Sequence, residues 1–358
     1  RRGWRRQAGR ADGALTGQRI DGSPFHREVQ SMLRVLIDRP ASDLMPADRT
    51  KAEFRDIARR YPDLAGRLRV SYAADETELA SKLARAEVLV GWKFPTAGLG
   101  TRAPALKWIQ LTGAGVEHLL PLDWLPAKVK LTNCSGVHGP KQGEFATMAL
   151  LMLHSHMTFF ATAQRRHHWE QRLSSLISGK TVVIVGLGGM GGAAAQSARH
   201  LGLEVIGITR SGRENPHADQ VLPVERIDRV LPKADFLYLA APLTAASRGL
   251  IGRRELQILK PGAGLVNVGR GGLVDEAALI AALKSGRLSG AILDVFAEEP
   301  LPEDSPLWDA PNLLVVPHVS SDDREAYMPR NYDLLLRNCR RFLAGRPLLN
   351  RIDPKLEY

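Results

Sequence analysis

Four groups able to move or bind charge stand just past apolar runs in the second half of this 358-residue chain: Arg270, Asp294, Glu299 and His318. An imidazole, with an ordinary pKa of about 6.5, suits proton transfer near neutrality. A guanidinium forks onto a carboxylate in a way that a lysine cannot. A carboxylate beside an imidazole favours its charged form and decides which ring nitrogen keeps its proton. Taken singly, each residue has a bland reading. Arg270 could be a solvated loop arginine, Glu299 a surface acid like Glu298 and Glu303, and His318 a core histidine bonded to a carbonyl. Their placement weakens those readings together.

The elements that must position them are strands. Residues 264–268, 290–293 and 313–316 are short, buried-type strands, and they deliver Arg270, then Asp294 and Glu299, then Pro317-His318. A further strand at 234–239 delivers Pro242-Leu243-Thr244. In open parallel sheets ligands bind beyond the carboxyl ends of the strands, so these groups converge on one rim. The same sheet begins with Thr181-Val182-Val183-Ile184-Val185, which runs into Gly186-Leu187-Gly188-Gly189-Met190-Gly191. This is G-x-G-x-x-G between a strand and a helix, with another strand at 204–208. Gly186 makes the tight turn, Gly188 admits a pyrophosphate to the backbone, and Gly191 lets helix and strand pack closely. The anion would lie on the unpaired N–H groups at the helix N-terminus. The rim therefore lies where the nicotinamide end of a dinucleotide would fall. The glycines around Arg270, at 269, 271 and 272, permit close ligand approach.

Composition bounds the alternatives. The chain is 44% hydrophobic and 24% charged, as in globular proteins, and is long enough for two domains. The most prominent apolar run, 145–153, is too short to span a bilayer. Two cysteines form neither a disulfide framework nor a metal cluster, and their scarcity fits a reducing cytoplasm. Of the net charge of +11, +4 lies in residues 1–30, which hold seven arginines against Asp12, Asp21 and Glu28. The rest is dispersed without aromatic interleaving. An anionic cofactor and substrate explain it better than nucleic acid. Residues 1–30 read as a disordered or vector-derived extension, with Met32 as a natural start; an Arg-rich, acid-poor leader also fits an organellar address.

From Leu33 onward strands alternate with helices, as in α/β proteins with doubly wound parallel sheets. Strands are expected at 33–37, 68–71, 87–91, 106–110 and 129–132, with helices at 51–61 and 76–85. A helix over 143–157 crosses into the second unit. The last helix, 324–343, stops at Ala344-Gly345-Arg346-Pro347. If it packs back on the first unit, the domains are 31–133 plus 323–358 for the substrate and 134–322 for the dinucleotide, with the active-site cleft between two Rossmann-like units.

Residues 32–358 resemble the D-isomer-specific 2-hydroxyacid dehydrogenase family, most closely its glyoxylate/hydroxypyruvate reductases. The resemblance rests on residues 106–110 (LKWIQ), 113–116 (GAGV), 185–188, 242–244, 267–271 (NVGRG), 293–296 with Glu299-Pro300, Pro317-His318 and 343–348. It implies an Arg–Glu–His constellation carried by Arg270, Glu299 and His318. Hydride transfer to a 2-keto acid puts negative charge on the carbonyl oxygen, and a positioned proton donor speeds such a step by about 10²–10⁴-fold. His318 would be that donor, Glu299 would steady it, and Arg270 would bind the substrate carboxylate and polarise its carbonyl. The N–H groups of Ala114 and Gly115 would hold the same carboxylate from the other domain, and Asp294 would orient the nicotinamide carboxamide. The resemblance also implies a homodimer.

One departure bears on the cofactor. Members that prefer NAD carry an acid at the end of the second strand of the dinucleotide unit, where this chain has Thr209 followed by Arg210-Ser211-Gly212-Arg213. Two guanidiniums and two hydroxyls there suit a 2′-phosphate, so NADP(H) is expected over NAD(H). His138 reads as a packing or hinge residue, and His167 and His168 have no ligand spacing, so no metal is implied. The alternatives are a dinucleotide-sensing, corepressor-like binding protein on the same fold, or a phosphite dehydrogenase. A formate dehydrogenase is disfavoured because its pattern has Gln in place of Glu299. The side chain of the keto acid depends on loops such as 92–95.

Overall fold

The computed structural model describes residues 32–38 and 47–354; the expectations for residues 1–30 lie outside them. The first half supplies β1 (Leu33–Asp38), α1 (Ala47–Ala58), β2 (Leu68–Ala73), α2 (Glu76–Leu83), β3 (Val88–Gly91), α3 (Leu99–Arg102), β4 (Trp108–Leu111) and β5 (Lys130–Thr132). These strands form one parallel sheet in the order β2-β1-β3-β4-β5. Two helices follow, α4 (Gly139–His154) and α5 (Met157–Arg165). Then come β6 (Thr181–Val185), α6 (Gly189–His200), β7 (Glu204–Thr209), β8 (Gln220–Pro223), β9 (Phe236–Leu239) and α7 (Arg253–Ile258). The chain ends with β10 (Ala263–Asn267), α8 (Glu276–Lys284), β11 (Leu288–Leu293), β12 (Leu313–Val315) and α9 (Tyr327–Leu343). The second sheet is also parallel, in the order β12-β11-β10-β9-β6-β7-β8. Both sheets reverse their winding at an inner strand, which is where α/β folds open a crevice for ligands.

Period-2 alternation puts the two faces of each strand into different cores. In β6, Val183 and Val185 face one cluster while Val182 and Ile184 face the other. In β1, Leu33, Val35 and Ile37 pack on one side and Leu36 on the opposite side. The apolar face of α9 completes the first of these β1 clusters. Met328, Tyr332, Leu335, Leu336 and Cys339 pack there with Val88, Val90 and Trp108. Although α9 follows β12 in sequence, it belongs spatially to the five-stranded sheet.

Several elements differ from the sequence reading. The helix expected at 143–157 begins at Gly139, with Pro140 in its first turn, and ends at His154. His156 then adopts a left-handed φ of 59° and the chain restarts as α5. Proline is tolerated in a first turn because its missing N–H would be unpaired there anyway. The first helix runs 47–58 instead of 51–61, and the last begins at Tyr327 instead of 324. The edge strand β8 went unforeseen; it is partly exposed and has no apolar alternation. Among the described residues no single helix is long and apolar enough to cross a membrane; α4 and α5 pass such a test only jointly, and they are bent by 65°.

The motif around Trp108 turns out to be structural. Trp108 Nε1 donates to Thr132 Oγ1 (2.8 Å), which donates to Gln110 Oε1 (3.0 Å). That same oxygen accepts from Asn338 of α9 at 3.2 Å. These side chains are nearly fully buried, and every polar atom in such a network needs its partner.

Candidate active site

The carboxyl ends of both sheets face one cavity of about 560 Å³. From the five-stranded sheet come Asp38 at the end of β1, Trp92 and Lys93 after β3, and Thr112, Gly113, Ala114 and Gly115 after β4. From the seven-stranded sheet come Met190 in α6, Val268 and Arg270 after β10, Asp294 after β11 and His318 after β12. His138, Ser321, Asp322, Tyr327 and Met328 close it from the connecting segments.

The imidazole and its carboxylate are in contact. His318 Nδ1 lies 2.6 Å from Glu299 Oε2, while Glu299 Oε1 accepts from the Phe296 N–H at 2.9 Å. With both carboxylate oxygens engaged, Glu299 can only accept from Nδ1–H, which leaves Nε2 as the exchangeable ring nitrogen. His318 has φ 53°, a left-handed conformation uncommon outside glycine and often found where a site over-determines the backbone.

Asp294 anchors the segment that carries this histidine. Its Oδ1 accepts from the backbone N–H groups of Val319 (2.8 Å) and Ser320 (2.9 Å), and its Oδ2 from Ser320 Oγ (2.5 Å). Burial pushes the Asp294 carboxyl up, against the pull of these hydrogen bonds. Gln142 donates to Tyr238 Oη at 2.6 Å, tying α4 to β9. Three of the roughly four acceptor positions of the Asp294 carboxylate are therefore used inside the protein.

Arg270 has partners that the sequence did not disclose. Its Nε lies 3.0 Å from Glu117 Oε1, its Nη2 donates to Glu117 Oε2 at 3.1 Å, and its Nη1 donates to Gly269 O at 2.6 Å. Glu117 follows the 113–116 loop of the other sheet. A Cβ on Gly115 would lie 1.8 Å from Arg270 Nη2 and 2.4 Å from Glu117 Oε2, so the pair is seated on the Gly115 Cα. No local spacing signalled Glu117, because the pair joins residues 153 apart.

His138 is nearly buried, its Nδ1 is 3.3 Å from Ser321 O, and its ring packs on Tyr327 at 5.0 Å. Burial depresses its pKa. It lines the cavity as a packed, neutral wall, and Tyr327 Oη donates to Thr112 O nearby. The Trp92 ring lies 3.9 Å from that of His118, tilted by 37°, and so close to Gly113 that a Cβ there would be 1.9 Å from the indole.

The glycine turn fits a dinucleotide. Gly186 has φ 89°, which favours glycine. A Cβ on Gly191 would meet Gly186 O at 1.7 Å, whereas one on Gly188 would meet nothing within 4 Å, so open space lies in front of the first turn of α6. Gly189 abuts the connecting segment, its Cβ position 2.6 Å from Gly136 N. Thr209 Oγ1 accepts from the Gly212 N–H at 2.9 Å and closes a turn with Arg210, Ser211 and Arg213 exposed. Pro242 and Thr244 form the next rim loop, pinned by Ser247 Oγ. A dinucleotide along this edge would run from the 209–213 turn, past 186–191, to Asp294.

The comparisons agree with this architecture. Residues 147–320 match the family model described as D-isomer specific 2-hydroxyacid dehydrogenase, NAD binding domain. Glyoxylate/hydroxypyruvate reductase B of Yersinia enterocolitica is 35% identical over 263 residues, covering 70% of this chain and 79% of that protein. The D-isomer specific 2-hydroxyacid dehydrogenase of Xanthobacter autotrophicus, solved with NADPH and MES, superposes with a TM-score of 0.76 at 32% identity, covering 92% of this chain and all of that one. An NADPH-dependent glyoxylate/hydroxypyruvate reductase of Sinorhizobium meliloti, solved with NADP and sulfate, gives 0.76 at 29% identity, covering 91% of this chain and 100% of the other. A nicotinamide dinucleotide fits the glycine turn, Arg270, Asp294 and His318 line one cavity, and the chain belongs to the D-isomer specific 2-hydroxyacid dehydrogenase family as an NAD(P)-dependent oxidoreductase.

Proposed function

We propose that the chain reduces small 2-keto acids of the glyoxylate and hydroxypyruvate type to D-2-hydroxy acids, with His318 as the proton donor. The observation that carries this reading is the 2.6 Å contact between His318 and Glu299 beside a cavity that also holds Arg270. A bound nicotinamide dinucleotide supplies the hydride. The chain supplies the rest. Glu299 holds Nδ1–H, so that Nε2 carries the proton given to the developing alkoxide. Arg270 and the N–H groups of Ala114 and Gly115 bind the substrate carboxylate, and Trp92 and Lys93 border the space left for its side chain. The charged groups on the cavity wall, Arg270 and Lys93, support a short anionic substrate. Asp294 keeps one acceptor position for the carboxamide. Gly186, Gly188, Gly189, Met190 and Gly191 would hold the pyrophosphate, with Pro242 and Thr244 bordering its path.

We assign residues 31–133 and 323–358 to substrate binding and 134–322 to the dinucleotide, a division supported by the packing of α9 on the five-stranded sheet. NADP(H) preference is supported by the absence of a carboxylate at Thr209 and by the exposed Arg210 and Arg213. A homodimer is supported by the arm after α5, where Trp169, Leu173 and Leu176 are 83–95% exposed, beside exposed Met148 and Leu151 of α4. Mixing protein, NADPH or NADH, and a panel of 2-keto acids tests the reading. Oxidation of NADPH by glyoxylate or hydroxypyruvate is expected, and no turnover of any 2-keto acid would overturn it.

A further inference from the structure

Glu117 takes no part in the chemistry outlined above, yet it meets the one guanidinium in that chemistry. Two parallel contacts, 3.0 and 3.1 Å, occupy the Nε–Nη2 edge of Arg270. The Gly269 carbonyl takes a hydrogen of Nη1 at 2.6 Å. One hydrogen on each terminal nitrogen remains. Glu117 comes from the turn after β4 and Arg270 from the turn after β10, so the pair bridges the two sheets across the cavity.

From this geometry we infer that Glu117 is a positioning residue. It clamps Arg270 side-on across the cleft, so that only the Nη1–Nη2 end faces the substrate carboxylate. The inference rests on the proposed keto-acid reaction for the identity of that carboxylate. The bidentate contact fixes the plane of the guanidinium as well as its position, which a single hydrogen bond would not do. Gly115 is part of the clamp, because only a residue without Cβ leaves room for both side chains over its backbone. An unclamped arginine has several rotamers available, and ordering it on binding would weaken substrate affinity. The side chain of Arg270, left without this partner when Glu117 is replaced, is 27% exposed, so no fully buried orphan charge results.

Glu117→Ala and Glu117→Gln test the clamp. Each is assayed with NADPH and glyoxylate, and each is titrated with oxamate, an unreactive carboxylate, in the presence of NADPH. The glyoxylate KM and the oxamate Kd are expected to rise about tenfold in Glu117→Ala and about threefold in Glu117→Gln, which keeps one acceptor. The fall in kcat should be smaller than the rise in KM, and NADPH affinity should stay within twofold, which also reports an intact fold. A lower KM or Kd would mean that Glu117 competes with substrate, and would overturn the inference. Unchanged values in both variants would overturn it as well. If the wild type binds oxamate in a Glu117-dependent way but reduces no 2-keto acid, the clamp stands and the proposed reaction fails.

Discussion

Two side-chain pairs each place one member, His318 or Arg270, on the cavity wall, and they are built differently. His318 and Glu299 both come from loops of the seven-stranded sheet, 19 residues apart, and touch at 2.6 Å. Arg270 and Glu117 come from different sheets, 153 residues apart, and meet at 3.0–3.1 Å. The first pair is fixed whenever its own sheet is folded. The second exists only when the two sheets face each other. In the proposed reaction, proton donation would thus be a property of one unit, while carboxylate recognition would depend on the relation between two.

The largest expected effect lies in the first pair. His318→Ala should lower kcat by about 10²–10⁴-fold while NADPH affinity, measured by fluorescence titration, stays within about twofold. Normal turnover in this variant would remove the histidine from the chemistry. In the second pair, Arg270→Ala should lower kcat and also raise the KM for glyoxylate by at least about tenfold, since a charge-assisted carboxylate contact is lost. An unchanged KM would place the carboxylate elsewhere. Gly115→Ala should raise KM by about tenfold through displacement of the same pair, with a smaller change in kcat. Equal effects on both parameters would mean that the two pairs are not separable.

Two weaker changes leave both pairs in place. Arg210→Ala with Arg213→Ala should cut the ratio of NADPH to NADH efficiency by about tenfold; a constant ratio would locate the 2′-phosphate contacts away from the 209–213 turn. Asp38, at the end of β1, offers a carboxylate on the cavity wall for which no ion pair is seen among the described residues. Burial pushes its carboxyl up to about 6, with nearby Glu76 adding to the shift. Its protonated form is therefore favoured by folding. That contribution is complete below the unfolded value of about 3.8 and is lost as pH rises through about 6. Asp38→Asn should then stabilise the protein by about 1 kcal/mol at pH 8, after allowance for screening at the cavity mouth, and by almost nothing at pH 4. Equal changes in melting temperature at both pH values would refute the shift.

Much of the site was legible because the seven-stranded sheet repeats one device. Each strand ends at a rim loop, so Arg270, Asp294, Glu299 and His318 could be placed together from strand positions alone. The glycine turn was legible for the same reason, since strand, turn and helix are contiguous. Glu117 was not, because its partner is set by how two sheets are apposed, and neither periodicity nor local spacing encodes that. The ends of α4 were misjudged because the helix is apolar on most sides, leaving no stripe to mark its limits; Pro140 was the available signal. The left-handed residue at His156 that ends this stretch carries no composition cue. Trp108 and Gln110 were recognised as a motif, but only the structure shows that their polar atoms serve a buried network with Thr132 and Asn338.

That α9 packs on the sheet made first has a consequence for biosynthesis. The strands β1 to β5 leave the ribosome before β6 to β12, yet Tyr332, Leu335, Leu336 and Cys339, which seal one of their faces, leave after them. The nascent five-stranded layer must wait, with that face uncovered, while the whole seven-stranded layer is synthesised and can fold beside it. A chain cut before residue 327 would lack the helix that seals that face.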